Sequence, residues 1–267
     1  MSALLLLVLA ADGGLLARPV QVKADHLEVL NAEGKAIYSG HAHAVRDNTE
    51  LDCDTLTAHF DKNQTVQSID AEGNVAARQG EKQAWGERGH FDNVTGVLEV
   101  TGHPRVQSGA RQVAGEKIVF QQDSDRLEVD QPTTLSQQGK ETTEIAADHL
   151  LLLDKVETAT WTGNVKAKKG TTRLFAPQLT ARYDEHGEVK HLDGVGGVHV
   201  IDKDREAWGA TLSYDLDKGV VDVMGKPRAR DGAKRIAGSK VRFLTQEDRL
   251  VVDDATTVFQ NESEKKK

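Results

Sequence analysis

A short β-rich run ending in glycine recurs four times along this chain. Tyr38-Ser39-Gly40 returns as Val100-Thr101-Gly102, Trp161-Thr162-Gly163 and Val223-Met224-Gly225, with the glycines 62, 61 and 62 residues apart. A fixed period of this size names an architecture before any propensity argument does. A second level lies over the first. Shifted by 123 residues, the chain falls on itself almost without gaps. Ala24-Asp25-His26-Leu27 meets Ala147-Asp148-His149-Leu150, Ala84-Trp85-Gly86 meets Ala207-Trp208-Gly209, and Asp125-Arg126-Leu127 meets Asp248-Arg249-Leu250. The chain therefore reads as two copies of a unit of roughly 120 residues, each made of two diverged halves of roughly 60. Gapless duplication preserves strand lengths and turns, which predicts a stack of like modules. The boundaries read as a first unit over 20–140 and a second over 141–260, with a polar tail at 261–267.

Alternation is the dominant local signal. Ala36 to Ala44, Val165 to Lys168 and Val198 to Val200 all show apolar residues with a period of two, the pattern of half-buried strands. Turn clusters separate these runs at Asn31–Gly34, Asp92–Gly96, Asp184–Gly187 and Asp217–Gly219. No sustained helical period follows residue 20, so the fold class is all-β: a sandwich, roll or barrel of short strands. Period two also assigns faces. Tyr38, Leu51, Leu56 and Phe60 point one way in the first quarter, and Val100, Ile118 and Phe120 in the second. Trp161, Leu174, Leu179 and Tyr183 follow in the third, then Val223, Val241 and Phe243. Opposite them stand His41, Arg105, Lys166, Lys168 and Arg228. Each half thus supplies an apolar floor and a charged back. Taken alone, alternating strands describe a closed core in which the apolar residues pack on each other.

A net charge of −8 and the lack of any basic block before Lys265-Lys266-Lys267 exclude a nucleic-acid surface. The single cysteine, Cys53, excludes an intrachain disulfide and reads as a small buried residue. At the start, Met1 to Ala11 is an apolar run of signal-peptide length, too short to span a bilayer and lacking a basic lead, and residues 1–19 read as an export signal. Sites of chemistry are weak. His41 and His43 share a strand, but the second copy has Asn164 and Lys166 there and no third ligand is apparent. Asp52 and Asp54 become Phe175 and Pro177, against a shared catalytic role. Gly194 to Gly197 lacks the order of a nucleotide loop and a following helix. A repetitive β architecture without a unique polar cluster reads as a conduit or scaffold, not an enzyme, with no cofactor or metal.

The order of pieces resembles a known family. Ala-Asp-x-Leu is followed by an aromatic–hydroxyl–glycine strand and a Leu-rich strand ending in Asp. Ile69-Asp70-Ala71-Glu72-Gly73-Asn74-Val75 comes next, matched by Leu192-Asp193 through Val198, then an Ala-Trp-Gly strand and a Val-x-Gly-x-Pro strand. No single piece is specific; their order, met twice over about residues 20 to 260, is similar to that of the OstA-like / LptA family of lipopolysaccharide-transport proteins. The resemblance implies an elongated, open β-jelly roll shaped like a V, here as a tandem of two units where the usual bridge protein has one. It implies a periplasmic location and an apolar groove for lipopolysaccharide acyl chains, lined by the fourteen inward residues named above. It also implies partners: transport components at the inner and outer membranes, and further copies joined end to end by strand pairing. The competing expectations are a periplasmic scaffold that assembles without carrying lipid, and an enzyme acting on a surface polysaccharide.

Overall fold

The computed structural model describes residues 20–138, 141–153, 157–184 and 189–259. The expected export signal, the polar tail, residues 185–187 of the expected turn and the end of the 137–140 joint lie outside the described residues. The described secondary structure is strand throughout, apart from one turn of 3-10 helix at Gln122–Ser124. No helix among the described residues is long and apolar enough to cross a membrane. The fold separates into two compact units. One holds the residues up to 134 together with 151–153; the other holds 135–150 and everything described from 157 onward.

Each unit is built on four long antiparallel strands. In the N-terminal unit they are Lys35–Arg46, Thr49–Phe60, Val66–Gln79 and Lys82–Asp92. In the C-terminal unit they are Thr158–Lys169, Thr172–Tyr183, Val189–Asp202 and Arg205–Asp215. Every neighbour pairs in sequence order. The sheet then forks. One half of Lys82–Asp92 pairs with Val97–Thr101 and the other with Arg105–Ser108. Arg205–Asp215 divides in the same way between Val220–Met224 and Arg228–Asp231. At the fork the backbones come close: a Cβ added to Gly86 would sit 2.6 Å from Val100 Cγ1. Only glycine fits there, which explains the repeated Ala-Trp-Gly.

The long strands are not straight. Register shifts fall between Ser39 and Ala42, Glu72 and Val75, Thr162 and Val165, and Val195 and Val198. At the first of these, Gly40 and His41 both adopt left-handed backbone, with φ of 77° and 51°. Gly73-Asn74, Gly102-His103, Gly163-Asn164 and Gly225-Lys226 repeat the pair. The recurring glycine is therefore the first residue of a two-residue kink, a β-bulge device that bends a strand and increases its twist. A carboxylate in the break between two short neighbouring strands holds the kink: His41 Nδ1 lies 2.8 Å from Asp25 Oδ2, and Asn164 Nδ2 donates to Asp148 at 2.8 Å. Asp25 and Asp148 are the repeated Asp of Ala-Asp-His-Leu, so that motif and the glycine motif are two sides of one contact. The histidines of the motif, His26 and His149, are exposed at strand starts.

Candidate lipid-binding interior

Period two places the predicted inward residues as a set. Among the fourteen, Leu51, Leu56, Val100, Ile118, Phe120, Trp161, Leu174, Leu179, Val223, Val241 and Phe243 are buried. Tyr38, Phe60 and Tyr183 are half-buried. The register brings several of them face to face: Tyr38 opposite Leu56, Val100 opposite Ile118, Trp161 opposite Leu179, and Val223 opposite Val241. Such cross-strand pairs each add roughly 0.2–1 kcal/mol beyond simple burial. The residues assigned to the back, His41, Arg105, Lys166, Lys168 and Arg228, are all exposed.

The two interiors are packed differently. In the C-terminal unit Trp161 is only 1% exposed, and Leu179, Leu192, Leu212 and Val221 close around the same core. The N-terminal unit contains a small, partly open apolar pocket of about 50 Å³. Its walls include Leu51 and Val100 from the predicted set, joined by Ile69, Val75, Phe91 and Leu98. The difference traces to volume at two matched positions. Ala71 and Gly89 of the first copy stand where Gly194 and Leu212 stand in the second. A Cβ added to Gly89 would sit at ordinary contact distance, 3.8 Å from Val75 and 3.9 Å from Ala71, so a side chain has room to start there. Leu212 fills the corresponding space, and its Cδ2 would lie 2.7 Å from a Cβ on Gly194. The second unit thus carries a leucine side chain where the first has only a glycine. Ile69, Val75, Phe91 and Leu98 follow the same period of two as the predicted set; Gly89 carries no apolar signal, because its contribution is an absent side chain.

Polar groups do not gather at the pocket. Cys53 is buried in the N-terminal core, and burial, with Asp52 and Asp54 nearby, pushes its thiol up to about 11. His41 and His43 turn to different carboxylates, His43 Nδ1 lying 2.7 Å from Asp52 Oδ1, so the pair does not converge. Hydrogen bonding to Asp25 and its charge raise the pKa of His41. A polar cluster that the sequence reading missed crosses three strands on the outer side. Asp70 takes His59 at 2.7 Å and His90 at 2.6 Å. Burial pushes the Asp70 carboxyl up, but the hydrogen bonds from His90 and His59 outweigh it and the net pKa is lowered. The matched Asp193 takes Arg182 and His191. An acid at the same place in both copies, with a base one strand away, was the signal available. Among the described residues no group of three or more His, Cys, Asp or Glu side chains is arranged to hold a metal ion.

Comparison with known proteins agrees with the repeat. The uncharacterized protein R00383 of Rhizobium meliloti (strain 1021) is 25% identical over 122 residues, which is 42% of this chain, and the match spans 66% of that relative's length. Among solved structures, this chain is similar to LptH of Pseudomonas aeruginosa, described as the LptA-homologous periplasmic component of the lipopolysaccharide transport device. That match has 20% identity and a TM-score of 0.41, over 45% of this chain and 95% of LptH. A family profile matches twice, over residues 21–126 and 144–249, once in each copy of the repeat. With most of its length matched in this way, the chain belongs to the LptA/(LptD N-terminal domain) lipopolysaccharide transport protein family.

Proposed function

We propose that this protein is a periplasmic carrier that binds the acyl chains of lipopolysaccharide in the interior of its β units and passes the lipid from the inner toward the outer membrane. The observation that carries this reading is the unfilled apolar pocket of the N-terminal unit, floored by Gly89 and walled by Ile69, Val75, Phe91 and Leu98. Each methylene moved from water into such a site contributes about 0.8 kcal/mol, so several chains per lipid give firm binding without any directional contact. The repeat copies at 20–140 and 141–260 act as consecutive modules. The fourteen inward residues form their apolar lining, with Leu51 and Val100 in the pocket wall. No bond is made or broken, and the protein is not an enzyme. Transport components at the two membranes are its partners, together with further copies of the chain.

Assembly end to end has its own support. Leu27 and Val29, on the strand His26–Leu30 near the start of the chain, are 56% and 55% exposed, whereas Leu150, the repeat counterpart of Leu27, is 2% exposed. Val258 on the last described strand is also largely exposed. Uncovered apolar side chains on terminal strands suit strand addition by another chain.

Photocrosslinking tests lipid carriage. A photoreactive residue at Ile69 or Val100 is compared with one at exposed Lys168, in the presence of purified lipopolysaccharide. Adducts at the inward sites alone are expected. A folded protein that gives no adduct at either inward site has a closed interior, and the scaffold reading replaces the carrier.

A further inference from the structure

The outer face of the C-terminal unit carries a feature that the N-terminal copy lacks. Lys166, Phe175, His199, Trp208 and Arg228 are successive cross-strand partners on five neighbouring strands. The three rings stack: Phe175 on His199 at 5.5 Å between centroids and 25° between planes, His199 on Trp208 at 4.8 Å and 10°. One face of Phe175 and one of Trp208 remain outside the stack, each beside a strand that presents an exposed cation. At about 4.8 Å per strand, the row from Lys166 to Arg228 spans roughly 19 Å.

A depression lies along this row. It has a volume of about 700 Å³ and is lined by Lys166, Phe175, His199 and Trp208, with glycine backbone at Gly163, Gly197 and Gly209. A Cβ placed on Gly197 would touch nothing within 4 Å. Asn164 stands at its edge. Around it the outer face is basic although the whole chain is acidic at −8. Lys168, Arg173 and Arg230 are exposed on the next row of the same strands and Arg235 on the strand beyond, against Glu144, Glu206 and, bonded to Asn164, Asp148. Glu206 is itself engaged by Arg230 and lies 3.0 Å from His199 Nε2.

The first copy supplies an internal contrast. At the matching positions it has His43, Asp52, Ala76, Trp85 and Arg105. The ring stack is absent, the first cation is a histidine 2.7 Å from Asp52, and Arg105 lies over Trp85 at 4.2 Å. Asn74 occupies the place of Gly197 and donates at 2.9 Å to Asp54, which occupies the place of Pro177. Two changes thus build the stack, and two others remove a polar contact and an acid from the depression. Their common outcome is a concave, aromatic, cationic site in one copy only.

We propose that this depression binds an anionic oligosaccharide, a short saccharide bearing phosphate or carboxylate groups. Ring faces and half-buried aromatic edges pack against the apolar C–H surface of a sugar, Asn164 offers hydrogen bonds to hydroxyls, and Lys166 and Arg228 meet negative groups at either end. A lipid surface is a poorer match, because the rings are stacked against one another at a depression and do not project. The site belongs to a different unit from the acyl pocket and does not depend on lipid carriage.

Calorimetric titration of the full chain tests it with three probes: the phosphorylated oligosaccharide left when lipopolysaccharide is fully deacylated, neutral maltotetraose, and inorganic phosphate. Saturable binding of the first alone is expected. It should weaken at least tenfold in Lys166→Glu and in Trp208→Ala, and stay unchanged in Arg105→Glu. Lys166 is exposed, so its variant folds, and thermal melts monitor Trp208→Ala. The proposal is overturned by no saturable binding, by phosphate binding as tightly as the oligosaccharide, or by full affinity in Lys166→Glu. Because the probe has no acyl chains, a failure here leaves the lipid-crosslinking result standing, and the reverse holds equally.

Discussion

At the scale of single residues, the glycine repeat does more than break strands. Gly40 sits at φ 77°, and a Cβ there would lie 2.5 Å from Asp25 Oδ2. Gly80, in the hairpin turn between two long strands, has φ 58° and open space around it. Left-handed backbone costs an L-residue about 1–2 kcal/mol, and this applies to both positions. Gly40→Ala must in addition displace the carboxylate that orients His41. The expected result is a clearly lower melting temperature for Gly40→Ala than for Gly80→Ala; equal shifts would remove the case for a carboxylate-held kink. Cys53 gives a second residue-level prediction. The thiolate is the reactive species, and a thiol held near 11 stays protonated at pH 8. Iodoacetamide at that pH should leave Cys53 unlabelled in the native protein and label it fully in denaturant. Rapid native labelling would show that the core around Ala42, Leu51 and Leu56 opens readily.

At the scale of strands, the period of two made much of the interior legible. It put Tyr38 and Leu56 on one face, and Trp161 and Leu179 likewise, because alternation is a local property with a strict face rule; that they stand opposite each other is set by the strand register. The kinks were less legible. Gly40 stands in an alternating run and looks like an ordinary strand glycine until its backbone is seen to be left-handed together with that of His41. Least legible was the pocket. It depends on the sum of volumes at Ala71 and Gly89 on adjacent strands, compared with Gly194 and Leu212, and no one-dimensional pattern reports a missing volume. The comparison is itself testable. Gly89→Leu puts into the first unit the side chain the second carries at the matched position, where φ is not positive and a Cβ meets only ordinary contacts. It should raise the melting temperature and abolish lipid adducts at Ile69. The reciprocal Leu212→Ala truncates that side chain in the second core and should cost about 2–5 kcal/mol in denaturant unfolding. A Gly89→Leu variant that still yields adducts at Ile69 would dissociate the pocket from lipid binding.

At the scale of the whole molecule, the two copies differ in how much of one matched strand is covered. Leu27 and Leu150 occupy the same repeat position, yet only Leu150 is covered. An edge strand with apolar side chains and free backbone groups is an association site unless charge or cover blocks it. Val29 extends the uncovered stripe on His26–Leu30 by one period of two, so two lysines placed there oppose both the apolar contact and the approach of another edge. Leu27→Lys with Val29→Lys should therefore reduce the mass measured by light scattering at high protein concentration to that of a single chain, while circular dichroism and the melting temperature stay near those of the parent. Wild-type protein should show a mass that rises with concentration, since an open head-to-tail contact has no closed end point. Two results would count against edge pairing: a parent protein monomeric at every concentration, or a double lysine variant whose oligomers persist. The second would shift attention to the opposite terminal strand, where removal of residues 256–259 should give the same loss of assembly if the two ends are complementary halves of one interface.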